Sequence, residues 1–142
     1  MNTYRAQVDE QVRSALGELV IEFNWKLDHA EPAGFSNLFE PEGVFITAQG
    51  SVEGSDALDA FAVKRTAMDR TSRSVLSNHR LVALSPDVVE GTVLVTLYMH
   101  DGIGVGVPVP HSVSEYRDVY AKGSDGAWRF RERRSTSVFA RA

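Results

Sequence analysis

The sequence predicts an α+β domain whose helices lie on one face of a strongly curved sheet. Segments with helical spacing of apolar residues come first in the chain, and a run of antiparallel strands comes last. The stretch Gly123-Ser124-Asp125-Gly126 adds a hairpin signal between the final two strands. The chain has 142 residues, of which 43% are hydrophobic and 24% charged. We therefore expect one folded domain spanning residues 1–142.

The first predicted element is a helix from about Thr3 to Asp28. Apolar residues recur at steps of three and four and form one continuous stripe, and Pro32 stops the helix. These residues are Val8, Val12, Leu16, Leu19, Val20, Phe23 and Leu27. Asp28 lies off this stripe, so periodicity alone leaves open whether it enters the core or stays a solvated carboxylate at the helix end.

A short helix, a strand and a longer helix follow. The spacing predicts a helix over Ala33–Phe39 and a strand over Val44–Ala48. Ser55 suits the N-cap of a helix from Asp56 to about Thr71, because its hydroxyl can accept a hydrogen bond from an unpaired amide.

The stretch Ser77–Leu84 reads as a buried strand, because apolar residues occupy both of its faces. Asn78, His79 and Arg80 bring three polar side chains to one end of it. A polar cluster at the end of an apolar strand is typical of a small-molecule pocket. The opposing interpretation, a hydrogen-bonded core histidine at position 79, stays open.

Three further strands complete the predicted sheet. They run from Val88 or Thr92 to about His100, from Val113 to Lys122, and from Ala127 to Phe139. Between the first two, Asp101–His111 contains three glycines and two prolines and is expected to form a mobile rim, either closing a pocket mouth or making a sheet edge or subunit contact. In the last strand, the period of two puts Arg129, Arg131 and Arg133 on a solvated outer face, paired with Glu115, Asp118 or Glu132.

Composition excludes several classes of function. The net charge is −4 and the sequence pI about 5.5, so no general positive surface exists for nucleic acid. There is no cysteine, and the four histidines lack the close spacing of a common metal site. No signal-peptide pattern and no stretch of membrane-spanning length is visible, which favours a cytoplasmic protein without a membrane partner.

Four motifs together resemble the SnoaL-like branch of the nuclear transport factor 2 superfamily, which includes scytalone dehydratase, ketosteroid isomerases, polyketide cyclases and the small subunits of ring-hydroxylating dioxygenases. The motifs are FNWKLD (23–28), GVFITAQGSVEGSDALDAF (43–61), SNHRL (77–81) and SEYRDVYAKGSDGAWRFRERR (114–134). The resemblance implies a cone-shaped α+β barrel, with a curved mixed or antiparallel sheet wrapped around the N-terminal helices.

The resemblance also implies a catalytic pair inside the cone. An acidic residue of the first helix, here Asp28, would face a strand histidine, here His79. A polar residue on the next long strand would be Tyr98, His100 or Asp101. A tyrosine that several relatives use near the helix end is replaced here by Phe23 or Trp25. The predicted catalytic residues are therefore His79 and Asp28. The predicted substrate-binding residues are Trp25, Phe23, Asn78, Tyr98 and His100.

Two functions are compatible with these residues. The first is a cofactor-independent lyase, isomerase or cyclase acting on a small hydrophobic, cyclic metabolite, in which His79 transfers a proton and Asp28 orients it or acts as the base. The second is a non-catalytic ligand carrier or an accessory subunit like the dioxygenase small subunits. By resemblance, a homodimer is expected in both cases.

Overall fold

The computed structural model describes residues 8–141, in which helices and strands follow one another without long irregular segments until residue 101. The elements are α1 (Glu10–Asp28), a short 3₁₀ helix (Phe35–Leu38), β1 (Phe39–Thr47), β2 (Gly50–Glu53), α2 (Gly54–Thr66), β3 (Arg70–Ser85), β4 (Val88–Asp101), β5 (Ser112–Lys122) and β6 (Trp128–Ala140).

The strands form one curved, mixed sheet in the order β2-β1-β6-β5-β4-β3. β1 and β6 are parallel, and the other neighbours are antiparallel. Because β2 and β3 remain as edges, the sheet does not close on itself. α1 packs against β3 and β6, and α2 packs against β1 and β2. The predicted α+β class and curved sheet are confirmed.

Phe23 of α1 is the centre of the aromatic core. Its ring is fully buried, and aromatic rings from the 3₁₀ helix, β1, β5 and β6 surround it with centroid distances of 5.1–6.2 Å. Rings at these separations interact favourably beyond their area of burial. Phe23 therefore anchors α1 to the sheet, together with Leu16, Leu19 and Val20, which are buried on the same helix.

Both long helices begin or end differently from the prediction. α1 begins at Glu10, because the Asp9 side chain accepts a hydrogen bond from the Val12 amide at 2.9 Å and caps the helix. Of the predicted earlier start, residues 3–7 lie outside the described part of the chain. α2 begins at Gly54 without a side-chain cap, so Ser55 is a first-turn residue rather than the N-cap.

The predicted boundary between α2 and β3 was wrong. The helix ends at Thr66, and β3 begins at Arg70 rather than at Ser77. The sequence Arg70–Ser74 contains only small polar and charged residues and lacks an apolar signal for a strand. Its pairing with the end of β4 supplies the missing stabilisation, since Arg70 lies opposite Asp101 and Ser74 opposite Leu97. The polar start of β3 decides the composition of the site described below.

Two irregularities change which side chains face the cone. In β3 the register shifts between Ser77 and Arg80, and Asn78 adopts a left-handed backbone with φ 55°. In β6 the register shifts so that Val119 pairs with Glu132 but Tyr120 pairs with Phe130. The shift leaves one extra, unpaired residue in β6, and this bulge turns the Arg133 side chain inward, where it is fully buried. The prediction that Arg133 shares a solvated face with Arg129 and Arg131 is therefore wrong.

Gly91→Ala is expected to destabilise the fold by about 1–3 kcal/mol through overpacking. A Cβ at this position would lie 2.8 Å from Leu81 Cδ2, 2.9 Å from Tyr120 Cε2 and 3.1 Å from the Arg80 carbonyl oxygen. The control is Gly17→Ala in α1, where nothing lies within 4 Å of the added carbon. That change should stabilise by about 0.5–1 kcal/mol. Urea unfolding measures both, and equal effects would contradict the packing argument.

The segment 102–111 carries exposed valines and does not line the cavity described below. Val105 is fully exposed and Ile103 nearly so. The segment is attached by the Thr71 hydroxyl, which donates to the Gly102 carbonyl at 2.8 Å, and by Arg141, which donates to the Pro110 carbonyl at 3.0 Å. In this structure it does not close the mouth of the cone.

Candidate active site

A cavity of about 620 Å³ opens between α1, α2 and the sheet. Part of its lining is formed by apolar side chains, and the rest is formed by polar ones. The apolar side chains are Phe23, Leu27, Phe45, Val52, Phe61, Met68, Val95 and Leu97, and the polar ones include Asn24, Asp28, Lys64, Arg65, Ser74 and Tyr116. This combination of an apolar wall and few placed polar groups is typical of a small-molecule site.

Asp28, at the C-terminal end of α1, is held by two hydrogen bonds from β3. Its Oδ1 accepts from the Ser72 hydroxyl at 2.7 Å, and its Oδ2 accepts from the Ser74 backbone amide at 2.7 Å. Both bonds are short, so the carboxylate has a fixed orientation. Asp28 therefore belongs to the cavity wall, and the alternative of a solvated helix-end carboxylate is not what the structure shows.

Arg65 of α2 places a positive charge at the same wall. Its Nη2 donates to Ser72 Oγ at 3.1 Å, so one serine links Arg65 to Asp28. Burial lowers the pKa of the Arg65 guanidinium, the charge of Arg70 lowers it further, and the charge of Asp28 opposes both. Arginine nevertheless remains protonated in proteins. The wall thus contains one anion and one cation connected by a hydroxyl.

Tyr116 of β5 forms the floor of the cavity above a buried ion pair. Burial raises the pKa of its phenol, so the hydroxyl stays protonated near neutral pH. The Arg133 guanidinium carbon lies 3.8 Å from the centre of its ring. Arg133 Nε in turn donates to Asp118 Oδ1 at 2.8 Å, and neither side chain of this pair is exposed. The floor is therefore rigid, because a buried cation, carboxylate and aromatic ring are packed together.

The structure does not bring Asp28 and His79 together, so the predicted pairing is wrong. His79 lies in a separate pocket and its Nε2 contacts the Tyr120 hydroxyl at 3.1 Å. It is five residues further along β3 than Ser74, a distance of about 16 Å in an extended strand. The early start of β3 is the physical reason. Serines, rather than His79, are the side chains that β3 presents to Asp28.

Of the other predicted binding residues, only Phe23 lines this cavity. Trp25 is 47% exposed, stacks on His29 and donates from Nε1 to Glu31. Leu97 faces the cavity, so Tyr98 points to the opposite face of β4, and His100 shares that parity. The predictions for Trp25, Tyr98 and His100 are therefore wrong. Asp101 is exposed at the strand end, and Asn78 lines the His79 pocket instead.

Apart from Asp28, sequence reasoning missed the polar residues that line the cavity. Serines alternate with other residues on β5 and β6, and their period of two places them on the inner face. They are Ser112, Ser114, Ser135 and Ser137. The same alternation continues on β5 through Tyr116, Asp118 and Tyr120, and this pattern was the available signal. The sequence also contained a signal for Arg65, because helical spacing places it on the same face of α2 as the apolar residues Leu58, Phe61 and Ala62.

His79→Gln is expected to flatten the pH dependence of stability between pH 7.5 and 5.5. Burial lowers the pKa of His79, the charge of Asp118 opposes this, and the charges of Arg133 and Arg13 reinforce it. The unfolded chain therefore takes up the proton first, and wild-type stability falls as the pH drops below about 6.5. Urea unfolding of both proteins at the two pH values checks this. A wild type that gains stability relative to the variant on acidification would contradict it.

Within residues 8–141, no group of three or more His, Asp or Glu side chains is placed to hold a metal ion. Neither described helix combines the length and the apolar character that a bilayer crossing needs.

Several solved structures share this fold. The chain is similar to a protein of unknown function with a cystatin-like fold from Nostoc punctiforme (16% identity, 94% of this chain and 96% of that chain, TM-score 0.80). It is also similar to a putative scytalone dehydratase from Novosphingobium aromaticivorans (17%, 91% and 85%, TM-score 0.77). A third similar structure is ActVI-ORFA from Streptomyces coelicolor (18%, 89% and 97%, TM-score 0.77).

No curated protein matches the chain by sequence. At these identities the solved structures establish the fold alone. The model of the SnoaL-like domain, however, matches residues 11–134, which include every strand of the sheet except the end of β6. The chain therefore belongs to the SnoaL-like domain family.

Proposed function

We propose that the protein binds a small hydrophobic, cyclic and oxygen-bearing metabolite in the cone cavity and catalyses a cofactor-independent proton transfer, with Asp28 as the base. The reaction class is a lyase, isomerase or cyclase. The observation that carries this proposal is the fixed Asp28 carboxylate, which lies at the wall of an otherwise largely apolar cavity of about 620 Å³.

The geometry of Asp28 suits a base. A carboxylate offers about four lone-pair directions, and the bonds from Ser72 and Ser74 occupy two of them. The remaining lone pairs can receive a proton from a carbon next to a substrate carbonyl. The C–H electrons then move to the carbonyl oxygen as an enolate, and Asp28 returns the proton to another atom of the substrate or to a leaving group.

Arg65 is the group that would stabilise the developing oxyanion. It lines the same cavity and is held in place through Ser72. A fixed cation at a partly dehydrated wall stabilises negative charge without reorganising solvent. The protonated Tyr116 hydroxyl offers a neutral donor at the floor. Asp28 would thus take up and return the proton, Arg65 would stabilise the oxyanion, and Tyr116 would donate a hydrogen bond, so that none of these roles needs a histidine.

The lining also suggests the substrate class. Aromatic and aliphatic side chains would take the flat hydrocarbon part of a ring system, and the serine rows of β5 and β6 would bind oxygen substituents along one edge. The putative scytalone dehydratase among the similar structures is named for a lyase activity. This name supports the proposed reaction class but not a particular substrate.

A non-catalytic ligand carrier or accessory subunit is the second candidate. It is favoured by the absence of any histidine from the residues that line the cavity, where the family resemblance implies one. In a carrier, Asp28 would bind a donor group of the ligand.

Hydrogen–deuterium exchange distinguishes the two functions even while the natural substrate is unidentified. Aromatic and terpenoid ketones are first screened for binding through chemical-shift changes at Asp28, Ser74 and Tyr116. Each binder is then incubated with the protein in D₂O and examined by NMR and mass spectrometry. We expect protein-dependent exchange or conversion at a carbon next to a carbonyl. Binding without exchange or conversion would reject catalysis on that compound class and favour the carrier.

The homodimer and the cytoplasmic location stay predictions from the sequence. The outer face of β3–β6 carries both signs of charge, including Arg80, Glu90, Arg117 and Glu132, which is compatible with pairing of two copies. Light scattering coupled to size-exclusion chromatography would determine the oligomeric state.

A further inference from the structure

A second pocket, of about 460 Å³, opens at the β3 irregularity. Its lining includes Arg13, Asn78, His79, Arg80, Thr92 and Glu115. Arg13 and Asp28 are fifteen residues apart on α1, which corresponds to about 22 Å along the helix axis. The pocket is therefore distinct from the cone cavity, and it has no role in the function proposed above.

The hydrogen-bond directions around His79 identify its tautomer. The Tyr120 hydroxyl donates its proton to Asp118 Oδ2 at 2.7 Å, so its oxygen can only accept from His79 Nε2, 3.1 Å away. Burial lowers the pKa of His79, which keeps the ring neutral at pH 7. A neutral imidazole has a single N–H. The proton is therefore on Nε2, and Nδ1 carries a lone pair.

That lone pair is available to a ligand. No residue of the described chain hydrogen-bonds to Nδ1, and Nδ1 is not one of the fully buried atoms without a partner, so it keeps some exposure to the pocket. Asp118, which fixes Tyr120, is itself fixed by Arg133. Such a chain of hydrogen bonds behind a histidine holds the ring and its tautomer in place, as in many binding and catalytic sites.

The charges around the pocket are mainly positive. Arg13 and Arg80 are exposed, and neither forms an ion pair with any residue from 8 to 141. Glu115 is engaged by Arg117 at 3.3 Å. The left-handed Asn78 sets the position of its neighbour His79, and backbone conformations of this kind persist mostly where the surrounding structure or a function requires them.

We propose that this pocket is a second ligand site, for a small hydroxy-acid anion whose carboxylate binds Arg13 and whose hydroxyl donates to His79 Nδ1. The guanidinium group is a donor only and selects an anion. The imidazole lone pair selects a ligand that also carries a donor. A simple carboxylate satisfies Arg13 but leaves Nδ1 without a partner.

Malate and succinate test this proposal, because they differ by one hydroxyl. The full chain, labelled with ¹⁵N in histidine, is titrated with each at constant ionic strength. In the free protein, the ¹⁵N shifts should identify the Nε2–H tautomer at position 79. Malate should produce a saturable shift of Nδ1 and bind about five- to tenfold tighter than succinate. Arg13→Gln should weaken malate binding about tenfold.

Arg131→Gln is the matched control. It removes the same charge from the outer part of β6, away from this pocket. Since Arg13 is exposed, its variant is expected to fold. Three results would each overturn the proposal: no saturable response of His79, equal affinity for malate and succinate, or an equal loss of affinity in Arg131→Gln. An Nδ1–H tautomer in the free protein would also overturn it, because the acceptor would then be absent.

Discussion

Arg133→Met is expected to destabilise the protein by about 3–5 kcal/mol, the usual cost of removing one member of a buried ion pair. The Asp118 carboxylate would keep its bond from Tyr120 but lose both bonds from Arg133, of 2.8 and 3.2 Å. A charge without its counter-ion would remain in a site with no exposure. The new methionine restores packing volume but does not compensate that charge.

Three aromatic rings also lose a cation partner in this variant. The guanidinium carbon lies 3.8–4.5 Å from the ring centres of Tyr116, Phe23 and Phe130. Cation–π contacts that are shielded from water contribute up to about 2 kcal/mol. We therefore expect the loss to reach the upper part of the range, and the cavity floor at Tyr116 to become mobile.

Arg131→Met supplies the matched control on the same strand. Arg131 is exposed and pairs with Glu40 at 2.8 Å, and an exposed pair of this kind contributes at most about 1 kcal/mol. The double variant Arg133→Met with Asp118→Asn should recover part of the loss, because it removes the uncompensated charge. Guanidinium unfolding followed by tryptophan fluorescence measures all three. A loss in Arg133→Met no larger than in Arg131→Met would show that the pair is not structurally important.

The fold could be predicted from the sequence because its signals are local. The apolar stripe of α1, the stop at Pro32 and the Gly123–Gly126 hairpin each depend on residues within a few positions of one another. The strands β4, β5 and β6 were recognised for the same reason. β2 was missed, because four residues with one partly buried position offer no periodicity.

The site could not be predicted to the same extent, because two features without a local signal determine it. The start of β3 at Arg70 depends on pairing with the distant end of β4. The extra residue in β6 moves Arg133 from the outer to the inner face, and no count of alternation detects a bulge. Asp28 was identified correctly as a cavity residue, but only the pairing register shows that serines, and not His79, lie beside it.

Asp28→Asn is expected to lower the rate of proton transfer on a ligand that exchanges in the wild type by about 10²–10⁴-fold. Asparagine keeps the size of the side chain and can still accept one hydrogen bond from β3, but it cannot take up a proton. Both oxygens of Asp28 accept a hydrogen bond, one from Ser72 and one from Ser74. In asparagine, the NH₂ group that replaces one of these oxygens cannot accept, so one of the two bonds would be lost. We therefore expect a modest loss of stability as well.

Ser72→Ala separates positioning from chemistry. This change removes the hydroxyl between Arg65 and Asp28 but keeps the carboxylate and the Ser74 amide bond. As a positioning residue, Ser72 should affect kcat by about tenfold and leave KM nearly unchanged, whereas Asp28→Asn should cause the larger loss of kcat given above. Ligand affinity, measured by the same NMR shifts, should change less than the rate in both variants. If Asp28→Asn weakens binding but leaves the exchange rate of the bound ligand unchanged, Asp28 is a binding residue, and the carrier function explains the cavity better.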